Sequence, residues 1–133
     1  MTTLLENKVA LVTGAGSGMG KAIAIAFANE GAKVMLADFN ADSLAEVKDI
    51  IEAADQTAET VTADMSKPTD VGTMVKETVA KFGQLDILVN NAGIMDDFKT
   101  VGTTTDELCI LVIAFHLLRS FQSCREASNT MQD

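Results

Sequence analysis

Apolar positions follow two alternating rhythms along this chain. Lys8 to Thr13 (KVALVT) is a continuous apolar run ending in glycines, the pattern of a strand buried on both faces. From Gly18 onward Met19, Ile23, Ala26 and Phe27 recur at helical spacing, which predicts a helix with one apolar stripe that closes at Gly31. Lys33 to Asp38 reads as a second strand. Leu44, Val47, Ile51 and Ala54 mark a second helix, entered through Asn40 and Asp42, and Glu59 to Ala63 is a weaker strand. A third helix follows Ser66, with Pro68 in its first turn where a missing N–H costs little. It carries Val71, Met74, Val75, Val79 and Phe82 and ends at Gly83. Asp86 to Val89 (DILV) is a fourth strand. A loop then runs to Thr104, which with Glu107 three positions on forms a capping box for a last long helix reaching Ala127.

Strand and helix alternating in this way imply right-handed parallel crossovers and a three-layer α/β domain with a doubly wound parallel sheet. A full fold of this kind orders its strands 3-2-1-4-5-6. The pattern stops after the fourth strand and its helix, so residues 1–133 are expected to form one domain, truncated there and incomplete at the C-terminus. The apolar strand DILV then lies at an open edge. Either a partner covers it or the fold is compromised.

Composition narrows the function. The 133 residues, 47% hydrophobic and 22% charged with one proline, suit a single globular domain. A net charge of −9, with the lysines and arginines scattered, sets nucleic acid aside as a partner. The longest apolar run, Cys109 to Phe115, falls far below the roughly 18 to 20 residues of a membrane span, and the start lacks a basic region followed by a long apolar stretch. Cys109 and Cys124 share the last helix about 22 Å apart, too far to bridge, so reduced thiols and a cytoplasmic location are expected. There is no tryptophan and no tyrosine, so a mechanism needing a phenolic acid or base has no residue here to carry it.

Thr13-Gly14-Ala15-Gly16-Ser17-Gly18-Met19-Gly20 stands between the first strand and the first helix, where a phosphate site belongs. Glycines there permit a tight turn and close backbone approach to a pyrophosphate, while the helix N-terminus offers free N–H donors. Asp38 ends the second strand, eighteen residues after Gly20, where a carboxylate accepts hydrogen bonds from a ribose 2′-hydroxyl and repels a 2′-phosphate.

With these residues the chain resembles the short-chain dehydrogenases and reductases. Thr13, Gly14, Gly18 and Gly20 match that family's Thr-Gly-x-x-x-Gly-x-Gly, and Asn90 to Gly93 match its Asn-Asn-Ala-Gly after the fourth strand. The resemblance implies a Rossmann-like fold and a site for NAD. Gly14, Ser17, Gly18, Met19 and Gly20 would line the pyrophosphate and nicotinamide side, Asp38 the adenosine ribose, Asp64 and Met65 the adenine, and Asn91, Ala92 and Gly93 the nicotinamide ribose. Asp38 followed by Phe39, rather than by an arginine, favours NAD over NADP.

Departures from the family begin in the last helix. Aligned through Thr104-x-x-Glu107 and Cys124 to Ala127, the place of the family's relay asparagine falls on His116, a residue able to donate, accept and titrate near neutrality but equally able to be a drifted helix position. The catalytic serine and the Tyr-x-x-x-Lys pair that the resemblance implies have no counterpart in these residues. Asp96 and Asp97 read as solvated loop charges. Leu108 to Leu118 is apolar nearly all round, which the resemblance turns into a homo-oligomer interface; the alternative is a face once turned to elements the chain lacks. The expectation is an NAD(H)-binding module of an oxidoreductase of alcohol and carbonyl groups, without turnover of its own. The alternative is a non-catalytic interaction or regulatory module, or a fragment pairing with a complete family member.

Overall fold

A computed structural model describes residues 4–65, 67–91 and 120–131. Strands β1 (Val9–Thr13), β2 (Lys33–Asp38), β3 (Ala58–Thr62) and β4 (Ile87–Val89) alternate with helices α1 (Gly18–Asn29), α2 (Ala41–Ala53) and α3 (Pro68–Phe82), and α4 (Ser120–Met131) closes the described chain. All pairings are parallel, in one sheet of order β3-β2-β1-β4. This is the expected Rossmann-like, doubly wound arrangement. The chain steps outward from β1 through β2 to β3, then returns to lay β4 on the other side of β1. That reversal opens a crevice at the C-terminal ends of β1 and β4, the place where open α/β sheets take ligands.

Successive strand residues point to opposite faces, so the central strands feed two cores. Val12, Val34 and Leu36 pack with Ala24 and Ala28 of α1 and Leu44, Val47 and Ile51 of α2. Leu11, Met35 and Ala37 pack with Val71, Met74 and Val75 of α3 and Ala127 of α4. Burial on both faces is why the runs VALVT and VMLA carry no alternation. Among the described residues β4 is an edge strand, and Ile87, Leu88 and Val89 are each half-buried there.

Local signals set the helix ends. The Asn40 side chain caps α2 by accepting from the Ser43 N–H at 3.1 Å. Pro68 opens α3 and Gly83 ends it in the left-handed region at φ 82°.

Three expectations need correcting. The stripe read for α1 is displaced: Met19 and Ala26 are exposed, Ile23 and Phe27 half-buried, and the buried line is Gly20, Ala24 and Ala28. Small residues at i, i+4 and i+8 let the helix axis sit close on the sheet, and the larger side chains flank the contact. The last helix does not stop at Ala127 but continues through Ser128 to Met131. The strand bounds also shift by a residue: β3 begins at Ala58, and Asp86 lies outside β4, its carboxylate accepting from the Val9 N–H at 2.9 Å. The Thr104 to Glu107 capping box, Asp96, Asp97, Cys109 and the Leu108 to Leu118 run lie outside the described residues.

Candidate functional site

The C-terminal ends of β1, β2 and β4 meet at the glycine-rich turn. Thr13, the last residue of β1, is buried, and its hydroxyl donates to the Val89 carbonyl at 3.2 Å while accepting from the Asn91 N–H at 3.0 Å. One side chain thus ties the ends of β1 and β4 together. The Asn91 amide then reaches across to the Gly14 carbonyl at 3.4 Å. On the other flank, the Ala15 N–H donates to the Ala37 carbonyl at 3.1 Å, which fastens the turn to β2.

Gly20 shows how tight the assembly is. A Cβ there would collide with the Gly14 carbonyl oxygen and stand 2.6 Å from Asn91 Nδ2, so the first turn of α1 can rest on Gly14 and Asn91 only without a side chain. Gly18 differs: its φ of 56° is left-handed and nothing lies within 4 Å of a Cβ built on it, so it faces open space at the start of α1. A closely packed floor beneath an open helix N-terminus is a concavity that a phosphate group can enter, with the helix dipole favouring its charge.

Asp38, half-buried at the end of β2, has both carboxylate oxygens engaged. Oδ2 accepts from the Gly16 N–H at 2.9 Å; Oδ1 accepts from the Phe39 N–H at 2.7 Å and, more distantly, from the Asn40 N–H at 3.4 Å. An ionised carboxylate offers about four acceptor positions, so capacity remains for a ligand hydroxyl. Two large apolar side chains stand out in solvent around this crevice, Phe39 at 77% and Met19 at 72% exposure.

Beyond β3, Asp64 is half-buried and its N–H donates to Asp70 Oδ2 at 2.9 Å, which anchors the turn to the start of α3. The Met65 side chain is 7% exposed and belongs to the core beneath that turn, beside Ala63, Val71 and Met74. Ser17 is exposed at the N-cap of α1 and its side chain makes no capping bond.

The structure therefore brings Gly14, Ser17, Gly18, Met19, Gly20, Asp38, Phe39 and Asn91 to one end of the sheet, with Asp64 and Met65 at the end of the neighbouring β3. Ala92, Gly93 and His116 lie outside the described residues. Sequence spacing did not single out Gly16 as a bonding partner of Asp38, or the buried bridging role of Thr13. The available signal for Thr13 was a hydroxyl at the end of an otherwise apolar strand.

A groove of about 340 Å³ runs beside β4, lined by Leu88, Cys124, Ala127, Ser128 and Met131. Cys124 is an exposed free thiol, and Asn90 Nδ2 donates to its sulfur at 3.1 Å. Among the described residues no cluster of three His, Cys, Asp or Glu is placed to hold a metal, and no helix is long and apolar enough to cross a membrane.

Residues 8–133 match the model of the short chain dehydrogenase family. An uncharacterised oxidoreductase of Mycobacterium bovis is 38% identical over 133 residues, covering 100% of this chain and 53% of the relative. A dehydrogenase/reductase from Sinorhizobium meliloti superimposes with a TM-score of 0.93 at 36% identity, over 98% of this chain and 52% of that one. A short chain dehydrogenase from Burkholderia cenocepacia, solved in complex with NADP, superimposes with a TM-score of 0.90 at 32% identity, over 96% of this chain and 52% of that one. The chain spans about half the length of the curated relatives it matches.

Proposed function

This chain belongs to the short-chain dehydrogenase family, and from that premise we propose that its 133 residues form a dinucleotide-binding module that holds NAD(H). The observation that carries this reading is the Asp38 carboxylate at the end of β2, fixed by the Gly16 N–H of the glycine-rich turn. The open N-terminus of α1 suits the pyrophosphate, with Gly14, Ser17, Gly18, Met19 and Gly20 around it. Asp38 takes the adenosine ribose with Phe39 beside it. The turn at Asp64 and Met65 is assigned to the adenine, and the segment Asn91, Ala92 and Gly93 to the nicotinamide ribose.

The short chain dehydrogenase from Burkholderia cenocepacia is solved in complex with NADP, so membership of the family does not by itself select NAD. Preference for NAD here rests on charge: a carboxylate accepts from a 2′-hydroxyl and repels a 2′-phosphate, and Phe39 supplies no cation to offset it.

When bound, the nicotinamide supplies hydride exchange. Oxidation of alcohols or reduction of carbonyls also needs a positioned proton donor or acceptor, worth roughly 10² to 10⁴ in rate. The resemblance assigns that task to a tyrosine, and the 133 residues contain none. These residues are therefore proposed to bind without turnover, in the cytoplasm, where a reducing environment keeps Cys124 a thiol.

Binding to the folded state alone raises stability, by about 2.7 kcal/mol at one hundred times the dissociation constant. The unfolding midpoint should therefore climb with NADH concentration, and a midpoint indifferent to NADH contradicts the proposal. A second reading, a module that pairs through its β4 edge and last helix as a homo-oligomer or with a complete family member, is favoured by the apolar groove beside Leu88 and Met131. Its test is mass in solution, and a strict monomer that ignores an added complete relative removes it.

A further inference from the structure

We propose that Gly16 is a specificity-determining position for the dinucleotide, acting through Asp38. This inference rests on the NAD(H) reading above. Gly16 touches the carboxylate in two ways. Its N–H donates to Asp38 Oδ2 at 2.9 Å, and its missing side chain leaves the space that the carboxylate fills. A Cβ built on Gly16 would stand 2.8 Å from Asp38 Oδ2, 3.2 Å from Asp38 Cγ and 2.9 Å from Ser43 Cβ.

Neither side yields easily. Ser43 Cβ is fixed to the backbone of α2, whose first turn is held by the Asn40 cap. Asp38 is a short side chain pinned through its other oxygen by the Phe39 N–H at 2.7 Å. A methyl group at position 16 must therefore rotate the carboxylate away or push the glycine-rich turn off β2. Both movements separate Asp38 from the Gly16 N–H.

Gly16 thus sets the orientation in which Asp38 meets a ribose. With the carboxylate displaced, its acceptor oxygens move off the 2′-hydroxyl, and its negative charge moves away from the place that a 2′-phosphate would occupy. Gly16 is a positioning residue: it selects between dinucleotides by where it puts another side chain.

The test titrates NADH and NADPH separately, by nicotinamide fluorescence, into the unaltered protein, Gly16→Ala and Asp38→Ala. The unaltered protein is expected to favour NADH. Asp38→Ala should shrink the NADH-to-NADPH affinity ratio about tenfold, the scale of one charge-assisted hydrogen bond. Gly16→Ala should move the ratio in the same direction although its carboxylate is intact. Adding Ser43→Gly to Gly16→Ala opens one of the two contacts and should restore part of the ratio.

A ratio unchanged by Gly16→Ala, while Asp38→Ala shifts it, overturns the inference and leaves the NAD(H) reading standing. An unaltered protein that binds neither NADH nor NADPH overturns both. If Gly16→Ala does not fold, amide exchange in folded protein decides: the Gly16 N–H should be protected and lose that protection in Asp38→Ala, and equal exchange in the two overturns the inference.

Discussion

At the scale of single residues, the site is assembled by short polar side chains that bridge strand ends. The Thr13 hydroxyl is the clearest case, because it serves the Val89 carbonyl and the Asn91 N–H together while 1% exposed. Thr13→Val keeps the shape and strips both partners of their bond. A loss of about 1 to 3 kcal/mol is expected, read as a lower urea midpoint with an unchanged slope. Thr13→Ser should recover most of it, and a Val variant as stable as the parent denies the bridge. The place of Asp38 at the end of β2 was legible in the sequence because it depends on a spacing along the chain. The bonds of Asp38 to Gly16 and of Asn91 to Gly14 were not, because they depend on how separate strand ends line up in parallel register, which local pattern does not encode.

At the scale of elements, burial on both sheet faces made β1 and β2 readable as uninterrupted apolar runs, and the glycine at position 83 marked the end of α3. The face of α1 was misread because large apolar residues dominate a periodicity count, whereas the contact with the sheet is made by Gly20, Ala24 and Ala28. A close approach of helix to sheet rewards small side chains, and a hydrophobicity pattern is blind to that. The two readings of α1 make opposite predictions. Ala24 is fully buried, so Ala24→Leu should destabilise by about 1 to 3 kcal/mol through overpacking. Ala26 is exposed, so Ala26→Leu should stay within roughly 0.5 kcal/mol. Thermal or urea unfolding of the pair decides between them, and equal effects contradict the packing described for α1. Similarly, α4 runs past Ala127 because Ala127 docks on the α3 side of the core and gives the following turn a support that polar residues 128–130 do not announce.

At the scale of the whole molecule, strand order matters more than any single contact. Placing β4 beside β1 brings Asn91 against the glycine-rich turn, and placing β2 on the other side brings Asp38 to it, so the switch in winding direction builds the crevice. The same order leaves β4 at an edge of the described sheet, next to the groove under α4. The 133 residues, about half the length of the matched relatives, include the strand ends to which the dinucleotide is assigned above, and no tyrosine stands among them. The proposal on which the rest depends is that these residues hold NAD(H). Isothermal titration of the protein with NADH reads this binding. Saturable heat at one site per chain is expected, abolished or weakened in Asp38→Ala. No heat with NAD or NADH up to millimolar concentration contradicts it.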